Sequence, residues 1–252
     1  MGDTLFYHTQ KYGVSSNLYS FFKNKSTKVK LPFVASKIEL HKYGKASMWL
    51  KTYSPLKPIR NYSMDSNFKF KGENIYRSGA SASLDSLEYE LVEVKSHDDE
   101  MVPMSIVYKK GMELNGTNPV LSNSYGAYGN NVDIEFQTHL LSYVSVGGIL
   151  VFPHIRGGGA KGDSWHRGGQ KLNKINAWKD LIACMDYLVN KNYTSHKMIT
   201  VFAESGGAIP AAMAINERPD VAGSIVLGSG ILNPFRRGAI YKSTDYIENG
   251  ST

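Results

Sequence analysis

Residues 201–213 read VFAESGGAIPAAM: an apolar run, a serine among small residues, then a helix-like stretch. A serine held on a sharp strand-to-helix turn needs small residues two before and two after it, because the turn is strained and its backbone closely packed. Ala203 and Gly207 fill those positions around Ser205. The Gly206 amide, at the helix start, would point toward an oxyanion, where the helix dipole favours negative charge. Pro210 falls in about the first turn, where a missing N–H does least harm. An ordinary strand-to-helix loop can carry the same five residues, so the neighbouring segments decide.

Those segments alternate. NPVLSNS, GGILVFPHI, KMITVFA and GSIVLGSG read as strands. INAWKDLIACMDYLVNKNY carries Trp178, Leu181, Ile182, Met185, Leu188 and Val189 at helical spacing, and GGAIPAAMAINERPD reads as a second helix. This rhythm predicts an α/β fold: a mostly parallel sheet, helices on both faces, and chemistry at the carboxyl ends of the strands. Upstream, YELVEVKSHDDEMVPMSIVYKKG reads as a hairpin. Its turn residues His97, Asp98, Asp99 and Glu100 have no second ligand group spaced to join them, so a polar turn is expected and no metal.

The first third, to about residue 85, is rich in Tyr, Phe, Ser, Lys and Asn. TLFYHTQ, SNLYSFF, KIELHKY and ASMWLKTY are short and aromatic, with turn residues between them, a pattern of antiparallel strands. The segments DTLFYHTQ…SNLYSFF and KASMWLKTYS recur at about 40 residues, the size of a four-stranded propeller blade. A plain β-meander accounts for the same residues.

Composition narrows the classes. Of 252 residues, 42% are apolar and 20% charged, as in an ordinary globular protein. The net charge of +7 comes from scattered Lys and Arg, so a solvated surface is expected and no nucleic-acid partner. No run approaches the roughly 20 apolar residues that span a bilayer, and the N-terminus lacks a secretory pattern. Cys184 is the only cysteine, which fits a cytoplasmic home. No cofactor is implied.

The Gly triplet Gly157–Gly159 follows a strand and Arg156, without Walker or Rossmann spacing. It reads as a rigid loop shaping the rim of a site. Taken together, YGAYG, IRGGGAKGDSWHRGG, KNYTSHKMITVFAESGG and NERPD resemble the prolyl oligopeptidase family of serine peptidases, over about residues 86–246. The resemblance implies an α/β-hydrolase domain capped by a seven-bladed β-propeller that admits short peptides. Residues 1–85 would then be terminal blades, between one and two of them, and residues 86–252 a hydrolase domain incomplete at its C-terminal side. It also assigns roles: Ser205 as nucleophile, Gly206 as oxyanion-hole amide, Tyr125 as the second oxyanion donor, and Tyr128 as a wall of the substrate pocket. Two departures stand out: Ala203-Glu204 replaces the usual small pair, and Ala160 stands where many relatives carry Glu.

A serine nucleophile needs a base, and α/β-hydrolases place Asp or Glu and then His after the Ser. All seven His residues here (8, 41, 97, 139, 154, 166 and 196) precede Ser205. Only His154 and His166 flank the Gly loop as substitutes, and neither Asp220 nor Asp245 suits the orienting acid. The expectation is a piece of a peptidase cut at both ends, inactive alone. Its acid and base would come from absent sequence or a complementing chain. The alternative is a non-catalytic fragment that binds peptides or self-associates through exposed strand edges.

Overall fold

The computed structural model describes residues 4–31, 34–43, 47–65, 67–73, 86–132, 134, 138–233 and 248–249. The chain divides into two compact units, residues 1–86 with 133–138, and residues 87–132 with 139–252.

In the first unit β1 (Leu5–Lys11), β2 (Ser15–Phe22) and β3 (Lys25–Val29) form one antiparallel meander. A second meander holds β4 (Lys37–Tyr43), β5 (Ser47–Tyr53), β6 (Arg60–Met64) and β7 (Phe70–Glu73). The β1–β2 link is three residues, Tyr12, Gly13 and Val14, the first two with positive φ, and the two-residue link Lys23-Asn24 between β2 and β3 also has positive φ at both positions. Such turns match the right-handed twist of the strands they join. Alternation then sorts the faces: Leu18, Val29, Ala35, Ile38, Leu50 and Met64 form one buried cluster. The segments that suggested a repeat at about 40 residues fall on β1–β2 and on β5, and the second meander begins earlier, with β4 at Lys37.

The second unit is built on a six-stranded sheet in the order β13-β12-β10-β11-β9-β8. β8 (Leu87–Lys95) and β9 (Met101–Lys109) form the expected hairpin, and β9 runs antiparallel to β11 (Ile149–Pro153). β11, β10 (Val120–Ser124), β12 (Ile199–Glu204) and β13 (Ser224–Gly228) are mutually parallel. All five residues of β11 are buried, as a strand covered on both faces requires. The helices are α1 (Thr138–Ser145), α2 (Asp163–Arg167), α3 (Ile175–Asn190) and α4 (Ala208–Glu217). α3 buries the predicted stripe, including Leu181, Ile182, Met185 and Leu188.

From β10 the chain steps to β11 on one side, and then returns to place β12 on the other. Strand order reverses at β10, and in sheets of this kind ligands bind outside the carboxyl ends of the strands at such a switch point. Among the described residues no helix is long and apolar enough to cross a membrane.

Candidate active site

Ser124 of β10 pairs in register with Ala203 of β12, so Tyr125 and Ser205 leave neighbouring strand ends one and two residues further on. Ser205 has φ 49, the left-handed region that a non-glycine residue enters at a cost of about 1–3 kcal/mol. It opens a single 3-10 turn, Ser205–Gly207, that leads directly into α4. The Ser205 carbonyl accepts a hydrogen bond from the Ile231 amide at 3.0 Å. Ser205 is half-buried, whereas Gly206 and Gly207 are buried.

Close approach explains the two glycines. A Cβ on Gly207 would stand 2.9 Å from both Cα and O of Tyr125, and one on Gly206 would stand 2.7 Å from the Tyr128 ring. The serine turn is therefore packed against the two tyrosines of YGAYG. Their rings lie 6.4 Å apart, tilted by 40°. Tyr128 itself has φ 56, which swings its ring back over Gly206.

The Gly triplet supports that tyrosine loop from behind. The Gly129 amide donates to the Gly157 carbonyl at 2.9 Å. A Cβ on Gly157 would overlap the Gly126 carbonyl, and one on Gly159 would overlap the Gly129 carbonyl. The triplet is a surface on which another loop lies, as a rim-shaping role requires. Arg156 anchors it. This guanidinium is buried, donating through Nε at 2.9 Å and Nη2 at 2.6 Å to Asp180, with Asp98 as a second partner. The Asp180 carboxylate is fully buried in α3 and also accepts from the Arg156 amide at 3.0 Å and Ser96 Oγ at 2.6 Å. Burial works against the Arg156 charge, but Asp180 and Asp98 outweigh it and hold its pKa above the usual value. Asp98 of the HDDE turn thus serves an ion pair. Among the described residues no cluster of His, Cys, Asp and Glu is arranged for a metal.

Both substitute bases have their Nε2 engaged by other partners. His154 is buried, and its Nε2 lies 3.0 Å from Ser105 Oγ, inside the sheet. Burial lowers its pKa to about 3. His166 spends Nε2 on Glu248 at 2.8 Å, with Gln170 at 3.0 Å, and lays its ring under Gly129. Glu248 is a buried carboxylate that also accepts from Lys174 Nζ at 3.2 Å. Burial alone would raise its pKa, but His166, Lys174, Gln170 and the Tyr128 amide together hold it below the ordinary value. Glu204, beside the serine, is exposed, so its carboxylate stays in water. Ala160 is buried, and Asp220 is exposed and paired with Arg218 at 3.4 Å. Asp245 lies outside the described residues.

Sequence reasoning missed three members of this assembly: Asp180, Glu248 and the inward role of Arg156. A single acid within the apolar stripe of α3 was the one available signal, because a buried carboxylate demands a cation. Glu248 carried none.

The chain is similar to known proteins in sequence and in fold. Residues 134–252 match the prolyl oligopeptidase family. A prolyl endopeptidase from Elizabethkingia meningoseptica is 36% identical over 141 residues, 56% of this chain and 20% of the relative. Prolyl oligopeptidase B from Galerina marginata, solved with a bound 25mer macrocyclization substrate, superposes with TM-score 0.85 at 22% identity, covering 98% of this chain and 35% of that one. A post-proline cleaving enzyme from Rickettsia typhi gives TM-score 0.80 at 22% identity, over 100% of this chain and 39% of that one. The two structural likenesses are of fold: strands of a β-propeller followed by a partial α/β-hydrolase domain. The chain spans about a fifth of the first relative's length and under two fifths of the two solved chains.

Proposed function

We propose, for a chain whose residues 134–252 belong to the prolyl oligopeptidase family, that Ser205 is the nucleophile of a serine-type peptidase acting on short peptides. Ser205 Oγ attacks the scissile carbonyl carbon, and the resulting oxyanion accepts hydrogen bonds from the Gly206 amide and the Tyr125 hydroxyl. Collapse expels the amine and leaves an acyl ester on Ser205, which water hydrolyses. Tyr128 walls the peptide site. The observation that carries this reading is the left-handed Ser205 turn packed on Tyr125 and Tyr128 where strand order reverses. Residues 1–85 are, on this reading, terminal propeller blades, and residues 86–252 the peptidase domain.

The proton of Ser205 must go to a base. All seven His residues precede it in the sequence, and His154 and His166 are committed to Ser105 and Glu248. The 252-residue chain by itself is therefore inactive, its base and acid supplied by further sequence or by a complementing chain. The second reading is a non-catalytic fragment that binds peptides or associates through strand edges. Among the described residues β13 pairs with β12 alone, which leaves it one side on which to add a strand. A cytoplasmic setting suits either reading, since the 252 residues hold a single cysteine, Cys184, and so form no internal disulfide.

A fluorophosphonate probe, which reacts with activated serines, separates these cases. The 252-residue chain should not label. A chain extended to carry a later Asp and His should label stoichiometrically, and Ser205→Ala should abolish it. Labelling of the 252-residue chain would overturn the inactivity, and an unlabelled extended chain would overturn the peptidase reading.

A further inference from the structure

Behind the tyrosine loop lies a cavity of about 10 Å³, lined by Gly126, Asn130, Asn131, His154, Ile155 and Gly158, among others. That is about the room one water needs, and no more. Two polar atoms of the lining side chains are buried without a partner in the protein, His154 Nδ1 and Asn131 Oδ1. His154 as a whole is only 4% exposed. A desolvated polar atom left unpaired costs as much as a lost hydrogen bond, and native interiors satisfy such atoms with protein or with water.

The rest of the His154 ring indicates what the cavity takes. Tyr89 Oη lies 3.2 Å from Ser105 Oγ, which lies 3.0 Å from His154 Nε2. A phenol is the better donor of the two hydroxyls and a neutral imidazole the better acceptor, so hydrogens point from Tyr89 to Ser105 to His154. Nε2 is then the acceptor, and the ring hydrogen sits on Nδ1, facing a site with no protein acceptor in reach. The ring stays neutral at ordinary pH, because burial disfavours its charged form.

We propose that this cavity is a binding site for a single internal water, which accepts from His154 Nδ1–H and donates to Asn131 Oδ1. The water completes a polar chain from Tyr89 on β8, through Ser105 on β9 and His154 after β11, to the loop that carries Tyr125 and Tyr128. It gives that loop a tether to the sheet independent of the Gly129–Gly157 hydrogen bond. The site stands on the geometry alone and holds whether or not Ser205 is a nucleophile.

The test is NMR on the 15N-labelled 252-residue chain. Long-range histidine spectra should show the His154 proton on Nδ1, with cross-relaxation between that proton and a bound water. Asn131→Leu, at a half-buried loop position, should remove the water signal and leave the tautomer unchanged. A proton on Nε2, an Nδ1 proton without water contact, or a water signal that survives Asn131→Leu would each overturn the proposal. A crystal structure provides the second measurement. It should place one water within hydrogen-bond reach of both atoms, and a cavity without density would refute the site.

Discussion

Replacing Asp180 with Asn keeps the shape of the side chain and removes the charge on which Arg156 depends. Asp180 is fully buried and accepts four hydrogen bonds, from Ser96 Oγ, the Arg156 amide, Arg156 Nε and Arg156 Nη2. An amide offers one oxygen where the carboxylate offered two, and its NH2 group would face donors. Removing one partner of a buried ion pair costs about 3–5 kcal/mol. Arg156 retains Asp98, whose side chain is 36% exposed, so the low end applies, about 3 kcal/mol. For a domain of this size that corresponds to a fall in Tm of about 6–12 °C. Urea unfolding followed by tryptophan fluorescence suits the measurement, because the Arg156 guanidinium lies 5.8 Å from the centre of the Trp165 ring. The double variant Arg156→Met/Asp180→Leu should recover part of the loss, the remainder being the Arg156 amide and Ser96 Oγ left without Asp180. A single-variant loss below about 1 kcal/mol would refute the view that this pair anchors the Gly triplet.

Acid should weaken the fold through His154. Its folded pKa of about 3 lies below the unfolded 6.5, so the unfolded chain takes the proton first; stability is intact above pH 6.5 and falls as pH drops toward 3. At pH 5 the loss is about 2 kcal/mol, read as the pH slope of the urea midpoint, and His154→Phe should flatten that slope. Glu248, whose folded pKa is depressed below 4.5, contributes stability above that value that is lost as pH falls through its folded pKa; Glu248→Gln should remove this lower step. Gly207→Ala should cost about 1–3 kcal/mol in a thermal melt, since its Cβ meets Tyr125 backbone. Gly206→Ala meets a movable ring edge and should cost less.

Much of the fold was legible because each periodicity had a single physical meaning. Alternation in SNLYSFF, and the continuous apolar run in ILVFP, report one-sided and two-sided burial, and β2 and β11 follow them. Small residues around Ser205 reported a tight turn, and Ser205 sits on one at φ 49. Partners distant along the chain were not legible. Nothing local to Glu248 announces that His166, Gln170 and Lys174 converge on it, because such clusters are set by three-dimensional register and not by spacing along the chain. The HDDE turn is the polar hairpin turn that its residues suggested, but its distant partner was not legible: Asp98 reaches Arg156, 58 residues away.

The Gly triplet shows how local sequence and distant packing meet. Gly-rich loops often cradle phosphates with free amides, but here the Gly157 amide donates to the Trp165 carbonyl and the Gly158 amide to the Ile155 carbonyl. With those donors committed, what the triplet supplies is the absence of side chains. The Gly126 and Gly129 carbonyls lie where a Cβ would otherwise stand. The YGAYG loop can therefore settle onto the triplet, and Tyr125 and Tyr128 can reach the serine turn. The same requirement recurs at Gly206 and Gly207, so the glycines on both sides of the tyrosine loop serve one purpose. They let the Gly triplet, the YGAYG loop and the Ser205 turn pack backbone against backbone and ring.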